Sequence, residues 1–197
     1  MFHNSRARLD AISDGVFAVV LTLMVLGIDV PDHITTATML TTGWKVLIYL
    51  ISFAVVAQYW TYHQELFYSV KTPPTRLLIM NFYYLVFICL IPFATSFLSN
   101  HQGNRVAALL FAAIVFAVDL VQFILFRYVI QNLNGEVAPD AHDREEFRGV
   151  SAMFYISISY IIVAALWPAW ILVVILLGML WRTFQTMIWR RLGRRHG

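Results

Sequence analysis

Charge is what this chain has least of. Asp, Glu, Lys and Arg make up 13% of its 197 residues, about half of what a soluble globular domain carries. Cysteine is nearly absent: Cys89, in the middle of an apolar run, can form neither an intrachain disulfide nor a multi-thiolate metal site, and it reads as a small buried hydrophobe. Of six prolines only Pro92 falls inside an apolar run, so the paired helix breaks of an inverted-repeat transporter are lacking. His3, His33, His63, His101, His142 and His196 are scattered with no i, i+3 or i, i+4 pair, which argues against a zinc site. P-loop, GxSxG and HExxH sequences are missing, so neither an enzyme nor a bound cofactor is expected. Basic patches interleaved with stacking aromatics are missing too, and no nucleic-acid partner is expected.

What fills the chain is apolar: 60% of its residues are hydrophobic, and the mean hydropathy is +0.71. The fold class is therefore all-α and membrane-spanning. With about 20 apolar residues needed per crossing, a single domain over residues 1–197 divides into six spans: Ala11–Ile28, Gly43–His63, Leu77–Leu98, Val106–Ile130, Val150–Trp167 and Ala169–Trp189. The last two meet at Trp167-Pro168, read as a tight hairpin because proline cannot continue a helix without losing a hydrogen bond. The longest polar joint, Gln131–Gly149, reads as a solvated loop. The first run is too long for a cleavable signal peptide and leads into Asp29, Pro31 and Asp32, so it reads as a retained span. Arg6, Arg8, Lys71, Arg76, Arg127, Arg144, Arg148, Arg190, Arg191, Arg194 and Arg195 fall on one side of this layout, and only Lys45 and Arg105 on the other. The positive-inside rule then places both termini in the cytoplasm. Trp44, Trp167, Trp170, Trp181 and Trp189 sit where an aromatic belt is expected.

Polar groups inside apolar spans cost free energy unless they satisfy one another or face water. Ser13 and Asp14 lie near the cytoplasmic end of the first span, with Thr22 near its middle. Gln58 and His63 lie in the second span, Asn81 and Thr95 in the third, Asp119 and Gln122 in the fourth. Asp14, His63 and Asn81 share one end of the layout, so a hydrogen-bonded cluster joining the first three spans is expected, with Arg8 close enough in sequence to join it. For His63 and Asn81 a purely structural packing role is the simpler reading. Asp119 has no partner that spacing supplies, since Arg127 is two turns away. On the first span, Gly15, Val19, Thr22/Leu23 and Leu26 share a face, and Asp14 is offset from Val19 by roughly 140°. On pattern alone that face reads as packing against neighbouring helices. No span carries an Arg ladder of the voltage-sensing kind, and the carbonyl-filter sequence Thr-Val-Gly-Tyr-Gly is absent.

The run Arg8-x-x-x-Ile12-Ser13-Asp14-Gly15, continued by Val-Phe-Ala and Leu-Thr-Leu, resembles the Arg-x-x-x-Phe-Ser-Asp signature of the transmembrane protein 175 family, the endolysosomal potassium channels and their prokaryotic homologues. The likeness continues in Trp60-Thr-Tyr-His63 and in Leu77-Leu78, Asn81 and Leu90-Ile-Pro92-Phe93. The resemblance implies a potassium channel of the prokaryotic form, a homotetramer in the plasma membrane whose partners are potassium ions, the bilayer and its own copies. It implies that the first helix lines the pore. Val19, Leu23 and Leu26 would then be apolar rings that gate it, Thr22 an ion-selectivity layer, and Arg8, Ser13, Asp14, Trp60, His63 and Asn81 the network that orients the helix. The chain departs from the family at Ile12, where Phe is usual, and at Val19, where a larger Ile or Leu is common; the smaller valine implies a wider constriction. A proton- or cation-coupled transporter, motivated by Asp119 and His63, is the alternative. A membrane-embedded enzyme and a structural subunit without transport are the remaining readings.

Overall fold

The computed structural model describes residues 6–68, 70, 72–132 and 141–193. The six helices are α1 (Arg6–Leu23), α2 (Thr36–Tyr68), α3 (Thr75–Asn100), α4 (Arg105–Asn132), α5 (Ala141–Leu166) and α6 (Ile171–Gly193). Short 3-10 turns, Met24–Gly27 and Pro168–Trp170, follow α1 and precede α6. Five stretches, all but α6, are long and apolar enough to cross a membrane; the apolar part of α6, Pro168–Phe184, is shorter. Leu50, Tyr83, Val86, Ile124, Ile162 and Leu177 are exposed around the outside, a surface suited to lipid rather than water. This is an all-helical, multi-pass membrane protein.

Most helices extend past the apolar runs that announced them; α1 starts early at Arg6 but stops at Leu23, short of the expected Ile28, where a 3-10 turn takes over. The largest difference is at the joint between α4 and α5: α4 continues to Asn132 and α5 begins at Ala141, so much of the expected Gln131–Gly149 loop is helix. Polar residues are compatible with helix once it has left the hydrocarbon, so hydropathy locates the crossing but not the helix ends. Lys71, Glu136, Asp140, Arg194 and Arg195 lie outside the described residues, as do the side chains of Trp189, Arg190 and Arg191.

Neighbouring helices run antiparallel. Arg6, Asp14 and Asp29 of the first segment meet Tyr68, Trp60 and Lys45 of α2 in reverse order. Phe116 and Phe123 of α4 meet Phe154 and Phe147 of α5 likewise. Tight joints enforce the reversals. Gly103 takes φ +72°, a left-handed geometry that suits glycine. Asn104 Oδ1 then accepts from the Val106 and Ala107 amides at 2.8 and 3.3 Å, capping α4. α6 folds back on α5 closely enough that Gly149 and Gly178 make room for the Arg182 guanidinium and the Tyr160 hydroxyl. Cys89 differs from its expected burial: it is exposed, on the side of α3 that turns towards α1.

Candidate functional site

α1 has two faces of opposite character. Leu9, Ser13, Phe17, Val20 and Met24 are buried, at the spacing of one helical stripe. At its centre the Ser13 hydroxyl accepts a hydrogen bond from Asn81 Nδ2 on α3 at 3.1 Å. Asn81 Oδ1 in turn accepts from His63 Nε2 on α2 at 2.8 Å, which fixes the proton on that ring nitrogen. The imidazole stacks on Tyr84, with centroids 5.7 Å apart, and meets Phe67 and the edge of Phe17. Three helices thus share one buried polar chain inside an aromatic cage. Breaking it would strand buried donors and acceptors at about 1–3 kcal/mol each.

Asp14 is not part of that chain. One residue on from Ser13 it points about 100° away, where Oδ1 accepts from Trp60 Nε1 at 2.9 Å and from Gln64 Nε2 at 2.5 Å. Both donors belong to α2, so α1 is held to α2 from a second side. Arg8 is exposed on the first turn, and Arg6 ties that turn to α2. Its Nη1 donates to the Tyr68 carbonyl at 2.8 Å, and its Nε pairs with Asp10 at 3.2 Å. The guanidinium thereby satisfies a carbonyl that the end of α2 would otherwise leave open. Sequence reading missed Arg6 and Gln64 as fasteners, and also Arg182. This buried residue donates from Nε to Tyr62 Oη at 2.8 Å and joins α6 to α2.

On the opposite face of α1, Val19 is 54% exposed, Leu23 49% and Leu26 74%. Thr22 is also exposed, and its Oγ1 donates back to the Ala18 and Val19 carbonyls, at 3.0 and 2.9 Å. With its proton committed to the helix, the oxygen presents lone pairs outward. Leu26 lies beyond α1 in the 3-10 turn, which advances each residue by 120° rather than 100°, so it is rotated by roughly 60° from where a continued α-helix would put it. Gly27 closes the turn against α3: a Cβ there would stand 3.3 Å from Ser96 Cβ. Between α1 and α3 runs an apolar groove of about 650 Å³, walled by Ile12, Gly15, Val19 and Leu23 on one side and Cys89, Pro92 and Phe93 on the other.

Residues 8–92 match the family model described as the endosomal/lysosomal potassium channel TMEM175. That segment is similar to the TMEM175 family. A potassium channel from Chryseobacterium sp. (strain P1-3) is 36% identical over 105 residues, 52% of this chain and 55% of that one. A potassium channel from Chamaesiphon minutus is 35% identical over 123 residues, 58% of this chain and 61% of that one. The chain therefore spans less than two thirds of the length of these relatives. The crystal structure of a TMEM175 homologue from Chamaesiphon minutus superposes with a TM-score of 0.72 at 26% identity, covering 91% of this chain and 97% of that one. TMEM175 is described as a channel, not as an enzyme. The TMEM175 segment contains both faces of α1 and the chain Ser13–Asn81–His63, and it ends at Pro92. Asp119 and Arg182 lie beyond it.

Proposed function

We propose that the protein is a potassium-selective cation channel, built from four copies around an axis lined by the exposed face of α1. The observation that carries this reading is the contrast between the two faces of that helix: one locked by buried hydrogen bonds, the other apolar, exposed and interrupted only by Thr22. Around an axis, Val19, Leu23 and Leu26 make apolar collars, which stop ions by dewetting when narrow. A dilation of the α1 helices lets a partly dehydrated cation through, and the outward lone pairs of Thr22 replace part of its lost water. Potassium gives up water more readily than sodium, so this layer favours potassium, modestly, without a carbonyl filter. Arg8, Ser13, Asp14, Trp60, His63 and Asn81 set the orientation of α1 and do not bind the ion. Six crossings, with α6 as the last, would leave both termini on the basic, cytoplasmic side of a prokaryotic plasma membrane.

The test is passive potassium flux in liposomes under a potassium gradient. Val19→Ser or Leu23→Ser should raise the flux, and flux insensitive to both positions overturns the pore assignment. Thr22→Ala should lower the potassium-to-sodium permeability ratio, read as a shift in reversal potential under bi-ionic conditions. The buried Asp119 at mid-membrane favours a second reading, a proton-coupled transporter. Slow, saturable turnover that strictly requires a proton gradient would decide for it.

A further inference from the structure

Asp119 lies midway along α4 and is 1% exposed. Its Oδ1 accepts a hydrogen bond from the Tyr59 hydroxyl of α2 at 2.9 Å, while its Oδ2 is buried with no hydrogen-bond partner. Four further buried polar atoms without partners among the described residues are Gln122 Nε2, one turn on along α4; Tyr160 Oη on α5; Ser52 Oγ on α2, two turns before Tyr59; and Thr95 Oγ1 on α3. The groups that interact with the carboxyl are Tyr59 from α2, Tyr84 from α3, and Ser157 and Tyr160 from α5. Ser157 directs its hydroxyl to the Phe154 carbonyl at 2.7 Å. All four are neutral hydroxyls; no lysine, arginine or histidine is among them.

An ionised carboxylate at this depth, among neutral hydroxyls and with no cation beside it, is strongly disfavoured. A proton on Oδ2 removes the charge. It also turns the unpartnered oxygen from an acceptor into a donor. We propose that Asp119, with Tyr59, Gln122 and Tyr160, forms a proton-binding site in the core of each subunit, away from the pore face, and that occupancy of this site bears on α1 through α2. The route is short. Tyr59, bonded to Asp119, is followed in sequence by Trp60, bonded to Asp14. Loss of the proton places a charge between α2 and α4, which drives the pocket to admit water or to part. Any movement of Tyr59 is then passed to the Trp60–Asp14 contact on α1.

Only the coupling to α1 rests on the channel reading, so the experiment has two readouts. The first is infrared difference spectroscopy of the full chain in bilayers at neutral pH, wild type against Asp119→Asn. The C=O band of a neutral carboxylic acid should be present in the wild type and lost in the variant. Tyr59→Phe should keep the band and displace its frequency, which guards against a poorly folded Asp119→Asn. A wild type without that band, or a band indifferent to both substitutions, overturns the site. The second is potassium flux as a function of pH in the same bilayers. A pH-dependent step present in the wild type and lost in Asp119→Asn is expected; the same profile in both proteins overturns the coupling. A protein that shows the band yet conducts no potassium leaves the proton site standing and removes the channel reading alone.

Discussion

Two buried polar groups hold α2 in place, and they are finished to different degrees. Around His63 the accounts close: imidazole, Asn81 amide and Ser13 hydroxyl form a continuous chain, and aromatic rings cover it. Around Asp119 they do not, since a carboxylate oxygen, an amide nitrogen and a phenol stay unpartnered. A closed network fixes one geometry and resists change, because every displacement strands a partner. An open one tolerates more than one state, and a titratable group at its centre gives those states a chemical cause. The two sites lie one turn apart on the same face of α2, His63 bonded to Asn81 of α3 and through it to α1, Tyr59 bonded to Asp119 of α4.

The largest effect expected from this contrast is at Asn81. Asn81→Ala strips both neighbours at once and should destabilise the fold by on the order of 3 kcal/mol, from two stranded buried groups. It should be read as a lower thermal midpoint and loss of the assembled peak in size-exclusion chromatography. Asp14→Ala comes next. It frees Trp60 and Gln64 at an exposed site, so about 1 kcal/mol is expected, visible as reduced assembly with ion selectivity little changed. A folded assembly with altered selectivity alone would make Asp14 part of the pore rather than its fastening. Asp119→Asn should be milder still, below about 1 kcal/mol in the same thermal assay, because it replaces a neutral acid with a neutral amide of the same shape. If it proves as costly as Asn81→Ala, the two sites are not different in kind.

The smallest effect lies at the far end of α2. Lys45 Nζ donates to Asp29 Oδ2 at 2.6 Å and to Asn100 Oδ1 at 2.7 Å. The hydrogen bond and then the charge of Lys45 hold the Asp29 carboxyl below its ordinary range. Because the folded value is depressed, the pair's contribution is complete above the usual carboxylate range and is lost as pH falls through the lowered value. Asp29 is solvated, so this should be a slight acid-side loss of thermal stability that Lys45→Met abolishes and that added salt weakens.

Much of this architecture is legible in the order of residues. Apolar runs place all six helices because hydrocarbon demands them, and Trp167-Pro168 marks the last reversal for the steric reason that proline always gives. Helix ends are not legible in the same way. Thr36–Thr42 and Gln64–Tyr68 continue α2 outside the apolar run, where hydropathy carries no signal. Ser13, His63 and Asn81 stand out as polar groups at one end of three spans, and their position alone suggests proximity. The partner of Asp119 does not stand out. Tyr59 is 60 residues away, and a tyrosine in an apolar span looks like any other aromatic until packing turns its hydroxyl inward. Arg182 is hidden by the opposite bias: an arginine near the end of a span reads as an interfacial anchor, and only the space left by Gly149 lets it be buried.

Pro92 gives α3 a joint. It has no amide proton for the Ile88 carbonyl, so one rung of the helix is missing where α3 borders the groove. Before it stands a stator, anchored by Asn81 to Ser13 and His63. After it stands an arm, which carries Ser96 against Gly27 and Asn100 against Lys45. The turn that bears Leu26 therefore leans on α3 beyond Pro92 while Ser13 is clamped to α3 before it, the two attachments separated by a single absent hydrogen bond.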